Sequence, residues 1–141
     1  MQITRQADYA VRAMYFLAHK SQENPVTTAQ ISREQRIPPT FLAKIMSQLS
    51  AAGLVHSTRG AHGGVRLART AAEISLLAVV EAIDGPMLLN DCVADPAICP
   101  MGANCRVHQV WCQAQADLVE RLDQTKLADL APANSAQPAV A

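Results

Sequence analysis

Residues 27–53 read TTAQISREQRIPPTFLAKIMSQLSAAG, and their punctuation predicts two helices with a tight break between them. Thr27 or Thr28 can cap a short helix through Arg36, with Ala29 and Ile31 facing inward. Ile37 and Pro38 make a turn, since the residue before a proline is pushed away from helical backbone. Pro39 then suits a first helical turn, where its missing N–H costs little. This second helix, Pro39 to Ala52, places Leu42, Ile45, Met46 and Leu49 on one face. Gly53 stands where a helix C-terminal stop belongs.

Upstream, Ala7, Ala10, Val11, Met14, Leu17 and Ala18 recur at helical spacing from Thr4 to Lys20, and Asn24-Pro25 breaks the pattern. Downstream, residues 54–58 (LVHST) and 64–68 (GVRLA) are two extended runs around the glycine-rich tip 59–63 (RGAHG), which reads as a β-hairpin. Gly60, Gly63 and Gly64 have no strand-to-helix context, so they belong to that tip and not to a phosphate loop. Helix, tight turn, helix, hairpin is the order of a winged helix-turn-helix, whose second helix enters the major groove of DNA. The fold class expected is therefore mainly α (α+β). The candidate DNA-binding residues are Thr28, Pro39, Thr40, Lys44, Ser47 and Gln48 on the helices. Arg59, His62 and Gly63 on the hairpin complete the set, with Arg59 placed to enter a minor groove or grip the backbone. The plainer alternative is a small α+β domain in which the same positions only solvate a surface.

Charge bears on these alternatives and by itself leaves the choice open, since an uneven surface can be merely solvating. Residues 1–69 hold nine Lys/Arg against three acids, and residues 70–141 hold three against nine, so a net charge of zero hides a basic half and an acidic half. A basic half is the footprint of a phosphate-binding surface, and the acidic half should face away from it. No apolar run approaches membrane-spanning length and the start carries no signal segment, so no membrane partner and a cytoplasmic address are expected. No phosphate-cradling loop, nucleophile–base pair or paired carboxylate site is present, so no enzyme is expected.

In the acidic half, Glu73 to Ile83 has helical spacing and Asp84-Gly85-Pro86 ends it. Residues 84–104 are rich in Pro and Gly and read as a loop; a loop of that length is functional or disordered. A last helix, Asn104 to Leu130, carries the stripe Val107, Trp111, Ala114, Leu118 and Leu122, suited equally to a partner helix or to its own domain. The division expected is a DNA-binding domain at 1–83, a cluster-binding loop at 84–104, a dimerisation helix at 105–130 and a disordered tail at 131–141.

Four cysteines in a reducing compartment point to metal or redox chemistry before disulfides. Cys92, Cys99 and Cys105 are separated by six and five residues, without the close pairs of structural zinc sites. Three soft thiolates, the first two in a loop free of ladder bonds, suit an iron–sulfur cluster or zinc, and the spacing leans toward the cluster. Three buried inert cysteines, a thiol switch and a zinc site are the other readings. A fourth ligand can come from His108 or Cys112, three and seven residues after Cys105 on one helix face, or from Asp8. Asp8 can equally pair with Arg5 or Arg12, and Cys112 reads best as a small buried apolar residue.

Residues 2–12 (QITRQADYAVR), 37–45 (IPPTFLAKI), 53–55 (GLV), 59–67 (RGAHGGVRL) and 82–85 (AIDG), with the cysteine triplet after them, resemble the bacterial IscR/NsrR/RirA winged-helix regulators over about residues 1–125. The resemblance implies a homodimeric transcription regulator, expected to be a repressor, that binds near-palindromic promoter DNA. It implies Cys92, Cys99 and Cys105 as ligands of a [2Fe–2S] or [4Fe–4S] cluster and a response to nitric oxide, redox or iron status. His108 matches the histidine that completes an IscR-type [2Fe–2S] site. Asp8 matches the aspartate that a partner subunit donates in NsrR-type [4Fe–4S] sites, and residues 7–12 favour this type. The gap from Cys92 to Cys99 is one residue longer than in either.

Overall fold

Thr4 begins the first helix, α1 (Arg5–Ala18), by accepting the Ala7 N–H on its hydroxyl at 3.1 Å. Its own N–H and hydroxyl donate to the carboxylate of Asp84, at 3.1 and 2.6 Å, so an acid from a distant helix sits at the positive end of α1. The computed structural model describes residues 2–20 and 24–130; the tail expected to be disordered lies outside them. Ala7, Ala10, Ala13, Met14, Phe16 and Leu17 are the buried face of α1.

α2 (Thr28–Gln35) is capped by Thr27, whose hydroxyl accepts from Gln30, and buries Ile31 alone. Ala29, expected inside, is exposed, because this two-turn helix presents only the Ile31 position to the core. The turn to α3 (Pro39–Ala51) passes through Arg36 in left-handed backbone (φ 53°) and is closed by Ile37 N–H to the Ser32 carbonyl at 3.0 Å and Ser32 hydroxyl to the Ile37 carbonyl at 2.6 Å. α3 buries Leu42, Ile45, Met46 and Leu49. Gly53, at φ 73°, ends it: Leu54 N–H reaches the Leu49 carbonyl and Gly53 N–H the Ser50 carbonyl, both at 3.0 Å, with Leu49 and Leu54 buried together.

β1 (Val55–Thr58) and β2 (Gly64–Leu67) pair antiparallel, with Val55 opposite Leu67 and Thr58 opposite Gly64. Val26 bonds to Val65 through both backbone groups, at 2.9 and 2.7 Å, as an isolated bridge on the other side of β2. This is the two-stranded sheet of a winged helix, and the expected fold class stands.

α4 (Leu76–Asp84) starts later than its sequence spacing predicts. Ser75 caps it by accepting from Ala78 at 3.1 Å, while residues 71–73 form a turn in which Glu73 bonds back to Thr70. Residues 84–104 are more ordered than a plain loop: α5 (Asp91–Ala94) is followed by 3-10 turns at Pro96–Ile98 and Gly102–Asn104.

α6 (Arg106–Gln124) is the largest correction. The helix expected to reach Leu130 stops at Gln124, and Thr125 and Lys126 run extended alongside Ser75. Leu76 N–H bonds to the Thr125 carbonyl and Leu127 N–H to the Ile74 carbonyl, both at 2.9 Å. A 3-10 turn, Leu127–Asp129, then plants Leu127 in the core at 0 % exposure. Helical continuation would have left Leu127 outside; burying it is worth roughly 1.5–3 kcal/mol, which outweighs a turn of helix.

The apolar stripe of α6 divides. Leu118 and Leu122 pack on Ala7, Val80 and Met87 of their own domain, whereas Val107 and Trp111 stay exposed, as does Val110, which lies outside the predicted stripe. Among the described residues, no helix is long and apolar enough to cross a membrane.

A candidate DNA interface and the cysteine segment

The outer face of α3 presents Pro39, Thr40, Lys44 and Ser47 to solvent, as expected of a helix that reads a groove. Gln48 differs. It is half-buried, and its side-chain carbonyl accepts from the Gln6 amide on α1, so it is a link between helices before it is a free reading group. Phe41 is a residue the sequence reasoning passed over: it is 49 % exposed on the same helix and meets the Tyr9 ring edge-on at 6.1 Å. An exposed aromatic among polar positions of a groove-facing helix was the available signal, since an apolar ring can contact a thymine methyl.

Arg12 fastens α1 to α2. Its guanidinium donates to the Gln35 carbonyl at 3.2 Å, lies 4.8 Å from the Tyr9 ring centre and pairs with Asp8 at 3.0 Å. Of the two partners open to Asp8, the structure therefore places Arg12 beside it.

At the wing, Arg59 and His62 are exposed. Gly60 (φ 109°) turns the tip, and Gly63 N–H closes it on the Gly60 carbonyl at 3.0 Å. A Cβ on Gly63 would stand 2.1 Å from the Thr58 carbonyl, so only glycine fits there. Thr28 lies across from the wing, where Thr27, Thr28, Ser57 and Thr58 line a cleft of about 260 Å³ at the start of α2. Hydroxyls at a helix N-terminus suit a phosphate oxygen.

Cys92 sits on α5, Cys99 ends the first 3-10 turn and Cys105 precedes α6 as its N-cap residue. A run of backbone bonds links the last two to α6: Gly102 N–H to Cys99 carbonyl at 2.9 Å, Cys105 N–H to Gly102 carbonyl at 3.3 Å and His108 N–H to Cys105 carbonyl at 3.2 Å. All four cysteines are free and half-buried. His108 Nε2 lies 3.4 Å from the Cys112 sulfur, so these two meet on one face of α6. Asp8 is on α1 with Arg12, apart from this group. Among the described residues, no three His, Cys, Asp or Glu side chains converge as a metal-holding set. The fit to a thiolate-bound group is in the donors: three half-exposed soft thiols on consecutive turns, with Cys105 at the positive end of a helix that suits an anionic sulfur.

A basic winged helix with an exposed reading helix and a glycine-shaped wing defines a DNA-binding regulator. The family model "Rrf2: Iron-dependent Transcriptional regulator" matches residues 3–133, and the chain belongs to that family of transcription regulators, which are not enzymes. It is 35% identical over 130 residues to the HTH-type transcriptional regulator IscR of Vibrio campbellii, covering 92% of this chain and 77% of that one. Among solved structures, T. potens IscR superposes with a TM-score of 0.75 at 27% identity over 98% of this chain and 94% of that one. CymR, the global cysteine regulator of B. subtilis, gives 0.74 at 28% identity over 92% and 95%.

Proposed function

We propose that this regulator is a homodimer whose grip on near-palindromic promoter DNA depends on an iron–sulfur cluster held by Cys92, Cys99 and Cys105. The observation that carries this is the set of three free, half-exposed thiols on turns that abut α6. A bound cluster supplies a centre that nitric oxide, oxygen or iron shortage can alter, in a cytoplasmic setting where the thiols stay reduced.

This chain's own residues do the rest. Thr40, Lys44 and Ser47, with Gln48 beside Gln6, meet the major groove, Thr28 and Pro39 meet phosphates at the helix starts, and Arg59, His62 and Gly63 carry the wing. Val107, Val110 and Trp111 offer the apolar face for a second copy. The Gln6–Gln48 and Tyr9–Phe41 contacts couple α1 to the reading helix, so a shift of α1 moves α3. Half-sites lie about one helical turn apart, roughly 34 Å, so a few ångströms of change loses register. A bias of roughly 1–3 kcal/mol between the two arrangements is enough.

The partner's Asp8 as fourth ligand makes an NsrR-like [4Fe–4S] site. A second reading, the IscR-like or RirA-like one, has a specific observation behind it: His108 is one helical turn from Cys105 on the same helix. Iron and acid-labile sulfide are counted per chain after anaerobic reconstitution, and none in either would overturn the cluster. Asp8→Ala and His108→Ala are then compared: the true ligand's variant loses visible absorption faster than wild type, and the other tracks it.

A further inference from the structure

Between α4 and Cys92 the chain crosses α6 as a short strap, residues 87–89. Met87 is buried with Ala7 and Val80, and its N–H donates to the Glu81 carboxylate at 3.3 Å. From the other side, Gln115 of α6 holds the strap with both ends of one amide: its nitrogen donates to the Met87 carbonyl and its oxygen accepts from Leu89 N–H at 2.8 Å. Donor and acceptor from one planar group reproduce what a neighbouring strand would supply, and an amide side chain carries both whatever the pH. Asn90 follows, then α5, which packs on α6 and carries Cys92. Cys105 begins α6.

We propose that Gln115 is the positioning residue of the cysteine segment: by docking residues 87–89 on α6 it fixes where Cys92 stands relative to Cys105. This rests on those cysteines being ligands, as proposed above, but the docking itself is measurable without any cluster. Two of the strap's backbone groups depend on this one side chain, and losing their bonds opens the segment roughly tenfold more often.

The test uses the full chain without metal and follows alkylation of each cysteine by iodoacetamide, resolved by peptide mass. Cys112 is the internal reference. In Gln115→Ala, the Cys92/Cys112 rate ratio should rise about tenfold. Gln115→Glu keeps the acceptor for Leu89 but sets a carboxylate against the Met87 carbonyl. Its ratio, normalised to wild type, should be raised at pH 8 and fall toward one as acidification restores a donor proton, a profile that lost packing would not produce. The same proteins are then reconstituted anaerobically, and the Gln115 variants should lose visible absorption in air several-fold faster than wild type. An unchanged Cys92 ratio in both variants overturns the clamp, whether or not a cluster binds. A wild type that takes up no iron or sulfide overturns the ligand reading, and the alkylation ratios still decide the clamp. A variant that changes the alkylation ratio yet keeps its cluster as wild type does would show docking without a role in holding ligands, and would overturn the positioning.

Discussion

Residues 5–84 and residues 88–126 are built on opposite terms. The first stretch buries most of the faces of α1, α3, α4 and the hairpin in one main core, with Ala7 and Val80 in a smaller cluster beside Met87. In the second, no residue whose exposure is described is buried, from Leu88 up to Lys126, and the chain re-enters the core only at Leu127. One region derives its order from its own packing. The other is a thin layer of turns and one helix, pinned by Met87 at its start and Leu127 at its end. Ile98, Met101, Val107, Val110 and Trp111 all lie exposed between those pins. A segment that buries so little of its own apolar surface is suited to be ordered by something added to it, as the proposed cluster would do.

Breaking one pin gives the largest expected effect. Leu127→Ala removes a fully buried side chain and should cost about 2–5 kcal/mol in denaturant unfolding, far more than any exposed α6 residue. A change within about 0.5 kcal/mol would place Leu127 outside the core and collapse the contrast. Trp111→Ala attacks the opposite region. It should leave unfolding of the dissociated chain nearly unchanged but weaken the proposed self-association by roughly 2 kcal/mol in sedimentation equilibrium. Equal losses in both measurements would mean that the two regions share one core.

Arg59→Ala sharpens the functional side of the comparison, because its guanidinium is exposed and its loss leaves the fold intact. Binding to promoter duplex at matched salt should weaken by about 1–3 kcal/mol, with melting unaltered. Affinity equal to wild type would remove the wing from the DNA interface. The smallest effect is expected at Glu73. The Thr70 hydroxyl, then the Thr70 N–H, hold its carboxylate below the usual range. A depressed folded value means that this contribution is present above the unfolded value of about 4.3 and is lost as pH falls through the folded one. Glu73→Gln should therefore flatten the acid limb of a stability–pH curve slightly, and an unaltered limb would show that the turn contributes nothing.

Much of the first region was legible. Thr27, Pro39 and Gly53 are local signals whose chemistry acts within a few residues, and each stands at the helix end it predicts. The hairpin was legible from 59–64 because its glycines answer to steric demands of the tip itself. Asp8, by contrast, offered two charged neighbours at helical spacing, and only the structure shows Arg12 beside it. Gln48 looked like a reading residue because it is polar on an amphipathic helix; that Gln6 would occupy its amide depends on how α1 crosses α3. Gln115 was invisible for the same reason, being one of several glutamines on α6 until residues 87–89 are laid across it.

The amino-acid sequence by itself determined the winged-helix order, the ends of the two helices around the 37–38 turn, the basic and acidic halves and the thiol spacing, since each of these is written in residues a few places apart. Tertiary structure alone decided where α6 stops, which half of its apolar stripe is covered and which polar side chains are already engaged. Those outcomes turn on the competition between local helix propensity and burial against distant segments, and the second term exists only once the chain has folded.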